Sequence, residues 1–309
     1  MGKIIVCNAV VSKKMISYQF QLVICLNLFN KLHSMNTKVF NNFATLKPNL
    51  FLLPLLFSIL IVLFLFSQDA LHVNGYVQIQ KDWFYFINQY LGQYPSTEYN
   101  LTQFGDASVL LSFLIILVVY APKIWEALLS ALLVSLIFSK FLKALFLVPR
   151  PARVFDTDGF IIVGKTLQGF NSLPSGHSIT IFTIFTVLMF GFMPQKISYK
   201  ISWVLLIITT GLLLVFTRVA VGAHYPLDVI SGSIIGYTSG LLGVFISRKY
   251  TIWTWINNKK YYPIFMLTII ACGISLLNKI FNENLVVFYA ALISLFVALY
   301  KFIYVYFKK

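Results

Sequence analysis

Long apolar runs, not period-two alternation or a one-sided helical stripe, dominate the pattern of this chain. They fall at about 50–67, 107–122, 124–147, 177–194, 201–217, 224–247, 262–277 and 284–307. Roughly 20 apolar residues in helical form cross the hydrocarbon core of a bilayer, where each backbone N–H and C=O has to be paired within its own segment. The pattern therefore predicts an all-α polytopic membrane bundle of about eight spans. The windows at 107–122 and 262–277 are the shortest, so six or seven spans also fit. Residues 1–47 differ in kind, with short apolar runs broken by Lys3, Lys13, Lys14, Lys31, Lys38 and Lys47. They read as a basic cytoplasmic or interfacial segment. The run IIVCNAVV is cut short by Ser12-Lys13-Lys14 and lacks a small-residue cleavage site, which speaks against a signal peptide; a misassigned start codon is the alternative.

Composition agrees with lipid as the main solvent. The chain of 309 residues is 59% hydrophobic and 11% charged, with a mean hydropathy of +0.83, against about 25% charged residues in soluble domains. A formal net charge of +15 raises the question of a nucleic-acid partner. It arises instead from Lys placed between apolar spans, as expected for cytoplasmic loops, and no nucleic acid is expected as a partner. Cys7, Cys25 and Cys272 are too few and too scattered for a disulfide framework or a thiolate metal site.

The distribution of charge sets an orientation. With a cytoplasmic N-terminus and every window crossing, 16 of the 24 Lys and Arg fall inside, while Asp69, Asp82, Glu98, Asp106, Asp156, Asp158, Asp228 and Glu283 fall outside. This obeys the positive-inside rule. Two outer loops, 68–106 and 148–176, are long, and the second carries positive charge that the rule does not predict. The bias toward Lys, Asn, Ile and Phe fits an AT-rich bacterial genome, so the expected location is a bacterial cytoplasmic (inner) membrane, with these loops facing the periplasm or exterior.

Three of the four Arg (Arg150, Arg153, Arg218) and two of the four His (His177, His224) sit at outer span ends in a chain that otherwise prefers Lys. A guanidinium presents a planar fork matched to phosphate oxygens, which an ammonium does not. Three segments carry these residues. In KALFLVPRP, Lys143 lies at a helix end stopped by Pro149 and Pro151, seven residues before Arg150; interfacial snorkelling is the alternative reading. In PSGH, Ser175 and Gly176 lead into a helix beginning near His177, whose free N–H groups and dipole favour an anion; a simple N-cap by Ser175 is the alternative. In TRVAVGAHYPLD, His224 and Asp228 fall on one face of a helix start, with Pro226 tolerated in the first turn. A carboxylate that accepts one imidazole N–H leaves the other nitrogen a lone pair, which makes a nucleophile or base.

Taken in order and spacing, the three segments resemble the tripartite signature of the type 2 phosphatidic acid phosphatase superfamily, K-x6-R-P, P-S-G-H and S-R-x5-H-x3-D, in its integral-membrane lipid phosphatase branch. LTQFGDASVLL, before the second window, is a softer match. Thr217 stands where that family usually has Ser. The resemblance covers about residues 100–250 and implies a six-helix phosphatase core over 48–250, leaving 251–309 as two additional transmembrane helices. It also implies chemistry. His224 would be the nucleophile, forming a phosphohistidine, with Asp228 orienting it and His177 as general acid and later base. Lys143, Arg150, Ser175, Gly176, Thr217 and Arg218 would bind phosphate, and Arg153 has no assigned role. No cofactor is expected, since neither a carboxylate cluster for Mg²⁺ nor a His/Cys set for Zn²⁺ is visible in the sequence.

The expected function is hydrolysis of a phosphate mono- or diphosphate ester of a membrane lipid, with the bilayer itself as the other partner. A phosphotransferase passing the same phosphoryl group to a lipid or sugar hydroxyl is the alternative enzyme. An anion-binding transporter or scaffold is the non-enzyme alternative, but it would spread charge at mid-depth along several helices rather than gather it at one surface.

Overall fold

The computed structural model describes residues 35–308. The remainder of the predicted N-terminal segment, with Cys7 and Cys25, lies outside the described residues. The described chain is an all-helical bundle. It runs through α1 (35–44), α2 (Leu52–Ser67), three short helices α3 (Val73–Gln78), α4 (Lys81–Gly92) and α5 (Pro95–Thr102), then α6 (Ala107–Leu114), α7 (Leu117–Tyr120) and α8 (Pro122–Phe146). After α9 (Pro151–Val154) come α10 (Gly176–Gly191), α11 (Ile197–Ala220), α12 (Pro226–Lys249), α13 (Tyr262–Glu283) and α14 (Val286–Phe307).

Among the described residues six helices are long and apolar enough to cross a membrane: α2, α8, α11, α12, α13 and α14. The remaining two windows depart from the eight expected spans. The window at 177–194 becomes α10, a helix of 16 residues ending at Gly191. Its side chains are buried around the circumference, including Ser178, Ile181, Thr183, Val187 and Phe190. Protein, not lipid, surrounds it, so its length is not tied to the hydrocarbon thickness. The window at 107–122 breaks after Leu114. There the indole Nε1 of Trp125 donates to the Leu114 carbonyl at 3.0 Å, and the next amides shift to tighter i−3 partners, Val118 N to Ile115 O and Val119 N to Ile116 O. The segment still connects the two ends of the bundle, from Asp106, which bonds Lys279 near the end of α13, to Lys123, which bonds the Ser247 carbonyl near the end of α12.

A stripe of small residues seats α12 at the centre. A Cβ on Gly232, Gly236 or Gly240 would come within 2.5 to 2.8 Å of the backbone carbonyls of Ser175, Ile179 and Thr183, and one on Gly243 would strike Ala131 of α8. Hydrogen at these positions lets α12 lie backbone to backbone against α10, the contact that substitutes for hydrophobic driving force between helices in lipid. By contrast α2 exposes nearly all of its apolar side chains, Leu55, Leu56, Ile59 and Leu63 among them, as a helix facing acyl chains does.

The long loop 68–106 folds into a helical cap over the ends of α11 and α12. Asn88, fully buried, donates to the carbonyls of Ile161 and Ala220 at 2.9 Å each and accepts from Ile161 N at 2.8 Å. Gln80 accepts from Leu227 N at 2.7 Å. Beneath the cap, Phe84, Phe155, Phe160 and Tyr225 pack ring against ring. This apolar cluster fixes the turn that carries His224.

Candidate active site

The turn between α11 and α12 is built from the backbone outward. Gly222 takes φ of +75°, and a Cβ there would meet the Ile161 carbonyl at 2.7 Å. The Arg218 carbonyl accepts from both Ala223 N (3.0 Å) and His224 N (3.2 Å). Pro226 then opens α12 with its fixed φ. His224 is consequently locked in place and almost wholly buried.

Its two ring nitrogens face different partners. Nδ1 lies 3.4 Å from Asp228 Oδ2 and 3.5 Å from Ser172 Oγ. Nε2 lies 3.3 Å from Arg150 Nη1. A guanidinium has donors only, so Nε2 has to turn its lone pair toward Arg150, and the ring proton sits on Nδ1, on the Asp228 side. Burial, reinforced by the Arg150, Arg218 and Lys143 charges, holds the His224 imidazole well below its usual proton affinity. The ring is therefore neutral at neutral pH, and Nε2 carries a lone pair rather than a proton.

Asp228 is fully buried and densely satisfied. Its Oδ2 accepts from Ser172 Oγ at 2.5 Å and Tyr225 N at 3.0 Å, and its Oδ1 from Tyr76 Oη at 2.8 Å. The backbone carbonyl of Asp228 accepts from Ser175 N at 3.0 Å, which joins the start of α12 to the PSGH segment. Arg150 is aimed by Asn171, whose Oδ1 accepts from Nε at 2.7 Å, and by the Ala223 carbonyl at 3.0 Å. Across the site Arg218 Nη1 donates to Thr102 Oγ1 at 3.0 Å, while its Nε, also buried, has no partner among the described residues.

The remaining expected residues fall as follows. Ser175 precedes α10 but makes no side-chain cap, and its buried hydroxyl is unpartnered among the described residues, which departs from the N-cap alternative. The space beside Gly176 holds the Lys143 ammonium, 3.4 Å from where a Cβ would stand. His177 packs against Gly105, where a side chain would collide with the ring at 2.4 Å; the FGD stretch thus gains a steric reason. Thr217 turns its hydroxyl back onto the Leu214 carbonyl at 2.6 Å, so its proton is committed to the helix. Arg153 stands apart, stacked on Phe170 at 4.1 Å. A cavity of about 300 Å³ reaches Arg218 and His177 from the surface.

Sequence reasoning missed Tyr76, Ser172, Asn171 and Thr102. The unusual polarity of loops 68–106 and 148–176 was the available signal. Among the described residues no group of three His, Cys, Asp or Glu could hold a metal ion.

Comparison with known proteins places the segment that carries these residues. Residues 124–252 match the PAP2 superfamily model. The chain is 37% identical over 82 residues to a lipid A 1-phosphatase of Rhizobium johnstonii and 38% identical over 80 residues to one of Rhizobium etli. Each alignment covers 26% of this chain and no more than 31% of the relative, so it spans about a third of the curated relatives' length. Among solved structures, the crystal structure of Aquifex aeolicus LpxE aligns with 27% identity over 56% of this chain and 96% of that one, at a TM-score of 0.45. The matched residues 124–252, similar to the PAP2 superfamily, hold Lys143, Arg150, Ser175, His177, Arg218, His224 and Asp228.

Proposed function

We propose that this protein is an integral-membrane phosphatase that hydrolyses a phosphate mono- or diphosphate ester of a membrane lipid through a phosphohistidine on His224. The observation that carries the reading is the lone pair of His224 Nε2, held neutral and aimed beside Arg150, with Arg218 Nε and the Ser175 hydroxyl unpaired among the described residues close to the same site. Buried donors without partners are costly, and a phosphate supplies their missing acceptors.

In this reading Nε2 attacks phosphorus, and the bond to the lipid oxygen breaks as His177 gives that oxygen a proton. Arg150, Arg218 and Lys143 hold the equatorial oxygens, where negative charge gathers, with Ser175 and the Gly176 backbone. Asp228, through Ser172 and Nδ1, keeps the proton on the far side of the ring. Water, deprotonated by His177, then attacks phosphorus, breaks the N–P bond and releases phosphate. Thr217 has no proton to offer a phosphate oxygen in this geometry, since its own is given to the Leu214 carbonyl.

A lipid substrate is supported by the names of the aligned relatives, lipid A 1-phosphatases, and by the bundle of apolar helices. An outer, periplasmic placement in an inner membrane is supported by the charge at the opposite end, where Lys123, Arg248, Lys249, Lys259 and Lys260 gather. We take 48–250 as the catalytic core, residues 1–47 as a cytoplasmic or interfacial segment and 251–309 as the added helices. The test is phosphate release by purified protein from a panel of lipid phosphates, with His224→Ala as control; release from none of them would overturn the reading. Product analysis with an added acceptor alcohol separates hydrolysis from transfer.

A further inference from the structure

The cavity that reaches His177 and Arg218 has a wall that does not come from the PAP2-matched region. Lys279 and Glu283, in the last turns of α13, line it together with Arg218. Both positions are built in. Lys279 Nζ donates to Asp106 Oδ2 and lies 3.4 Å from Ser108 Oγ. Asp106 in turn caps α6, accepting from Ser108 N at 2.8 Å. Burial draws the Asp106 carboxyl upward, but hydrogen bonds from Lys279 and Ser108 outweigh it and hold the group below its usual value, so it stays ionised at neutral pH. Burial, with the Glu283 carboxylate beside it, pushes the Tyr99 hydroxyl up to about 12, so Tyr99 remains an O–H donor. The hairpin is also pinned at its turn, where Val287 N donates to Asn100 Oδ1 at 3.2 Å.

In an in-line displacement the leaving oxygen departs opposite the nucleophile, toward the general acid. His177 borders this cavity and His224 does not, so the leaving group is the part of the substrate that enters it. The wall mixes acceptors (Asp106, Glu283) with donors (Tyr99, Lys165, Lys279). Hydroxyl groups, which donate and accept at once, satisfy both kinds. A second phosphoryl group would meet two carboxylates, whereas a hydroxyl can join the Lys279–Asp106 and Tyr99–Glu283 pairs through the ammonium protons and carboxylate lone pairs that those pairs leave over. We propose that the C-terminal hairpin is part of the active site, and that Lys279 and Glu283 are specificity-determining residues that read hydroxyls on a sugar or polyol leaving group.

This rests on the phosphatase reading above. The test compares kcat/KM of the full chain in mixed micelles for three substrates: phosphatidylglycerol phosphate, whose leaving group carries a free hydroxyl, phosphatidic acid, whose leaving group carries none, and a polyprenyl diphosphate. The wild type is expected to prefer the first. In Glu283→Gln, and in the paired replacement Asp106→Asn with Lys279→Met, the ratio of the first to the second substrate should fall about tenfold, the scale of one lost hydrogen bond to a charged group. Glu283→Gln should also raise the diphosphate relative to phosphatidic acid, because a repelling charge has gone. Unchanged ratios, or equal losses on all three substrates, would overturn the proposal and leave the wall as scaffold. Absence of wild-type activity on every substrate would instead overturn the phosphatase reading itself, and the selection with it.

Discussion

Two polar clusters are buried at opposite ends of this bundle, and they are finished differently. At the basic end, Glu126 is only 3% exposed and accepts from Lys123 Nζ at 2.6 Å and from Asn257 Nδ2 at 2.8 Å. Lys123 donates further to the Ser247 carbonyl, and Trp253 Nε1 to Ser130 Oγ at 2.9 Å. Every buried side-chain nitrogen and oxygen of these residues has a partner. At the other end the carboxylate of Asp228 is equally well supplied, yet around it Arg218 Nε and the hydroxyls of Ser175 and Ser178 are buried without a partner among the described residues. A cluster whose bonds are complete is scaffold. One that keeps donors in reserve gives up stability and holds them for a ligand.

The largest effect should come from the reserved end. His224→Ala should lower phosphate release by at least about 10⁴-fold, the scale seen when a covalent nucleophile is lost, with thermal unfolding of the variant confirming an intact fold. Arg218→Lys keeps the charge but gives up the fork. It should cost about 1.5 to 3 kcal/mol in the transition state, roughly 10- to 150-fold in kcat/KM, and full activity in that variant would make Arg218 scaffold.

Glu126→Gln should reverse the pattern. It leaves the Lys123 ammonium without its charge partner in a mostly buried place, so stability in detergent should fall by about 2 kcal/mol while kcat of the folded fraction is retained. A large loss of kcat would erase the contrast between the two ends. Ser175→Ala sharpens it most finely. Because this hydroxyl makes no bond to any described residue, removing it should leave the melting temperature level or slightly raised, while kcat/KM falls about tenfold through one lost contact to a charged phosphate. A drop in stability without a drop in rate would show that the hydroxyl serves the fold.

Legibility in the sequence followed chain separation. The three motifs are contiguous runs, so Lys143, Arg150, Ser175, His177, Arg218, His224 and Asp228 are legible from residue order alone. Tyr76 and Ser172 are not, because they reach Asp228 across 152 and 56 residues. Lys279 meets Asp106 across 173. The helical class was legible from the apolar runs, but two elements were not, each for a side-chain reason. Trp125 takes the Leu114 carbonyl out of its helical ladder, and protein on every side frees α10 from a membrane-matched length. Thr217 shows a third limit: a hydroxyl near a helix end can turn to its own i−3 carbonyl, a choice that residue type alone leaves open.

The most direct test of the account is to look for the bond it requires. Wild-type protein mixed with a phosphorus-labelled lipid phosphate and quenched in alkali within one turnover should carry an acid-labile, base-stable phosphoryl group, and peptide mapping should place it on His224. Turnover with no covalent phosphoryl group at any time, or a label on any other residue, would contradict the account.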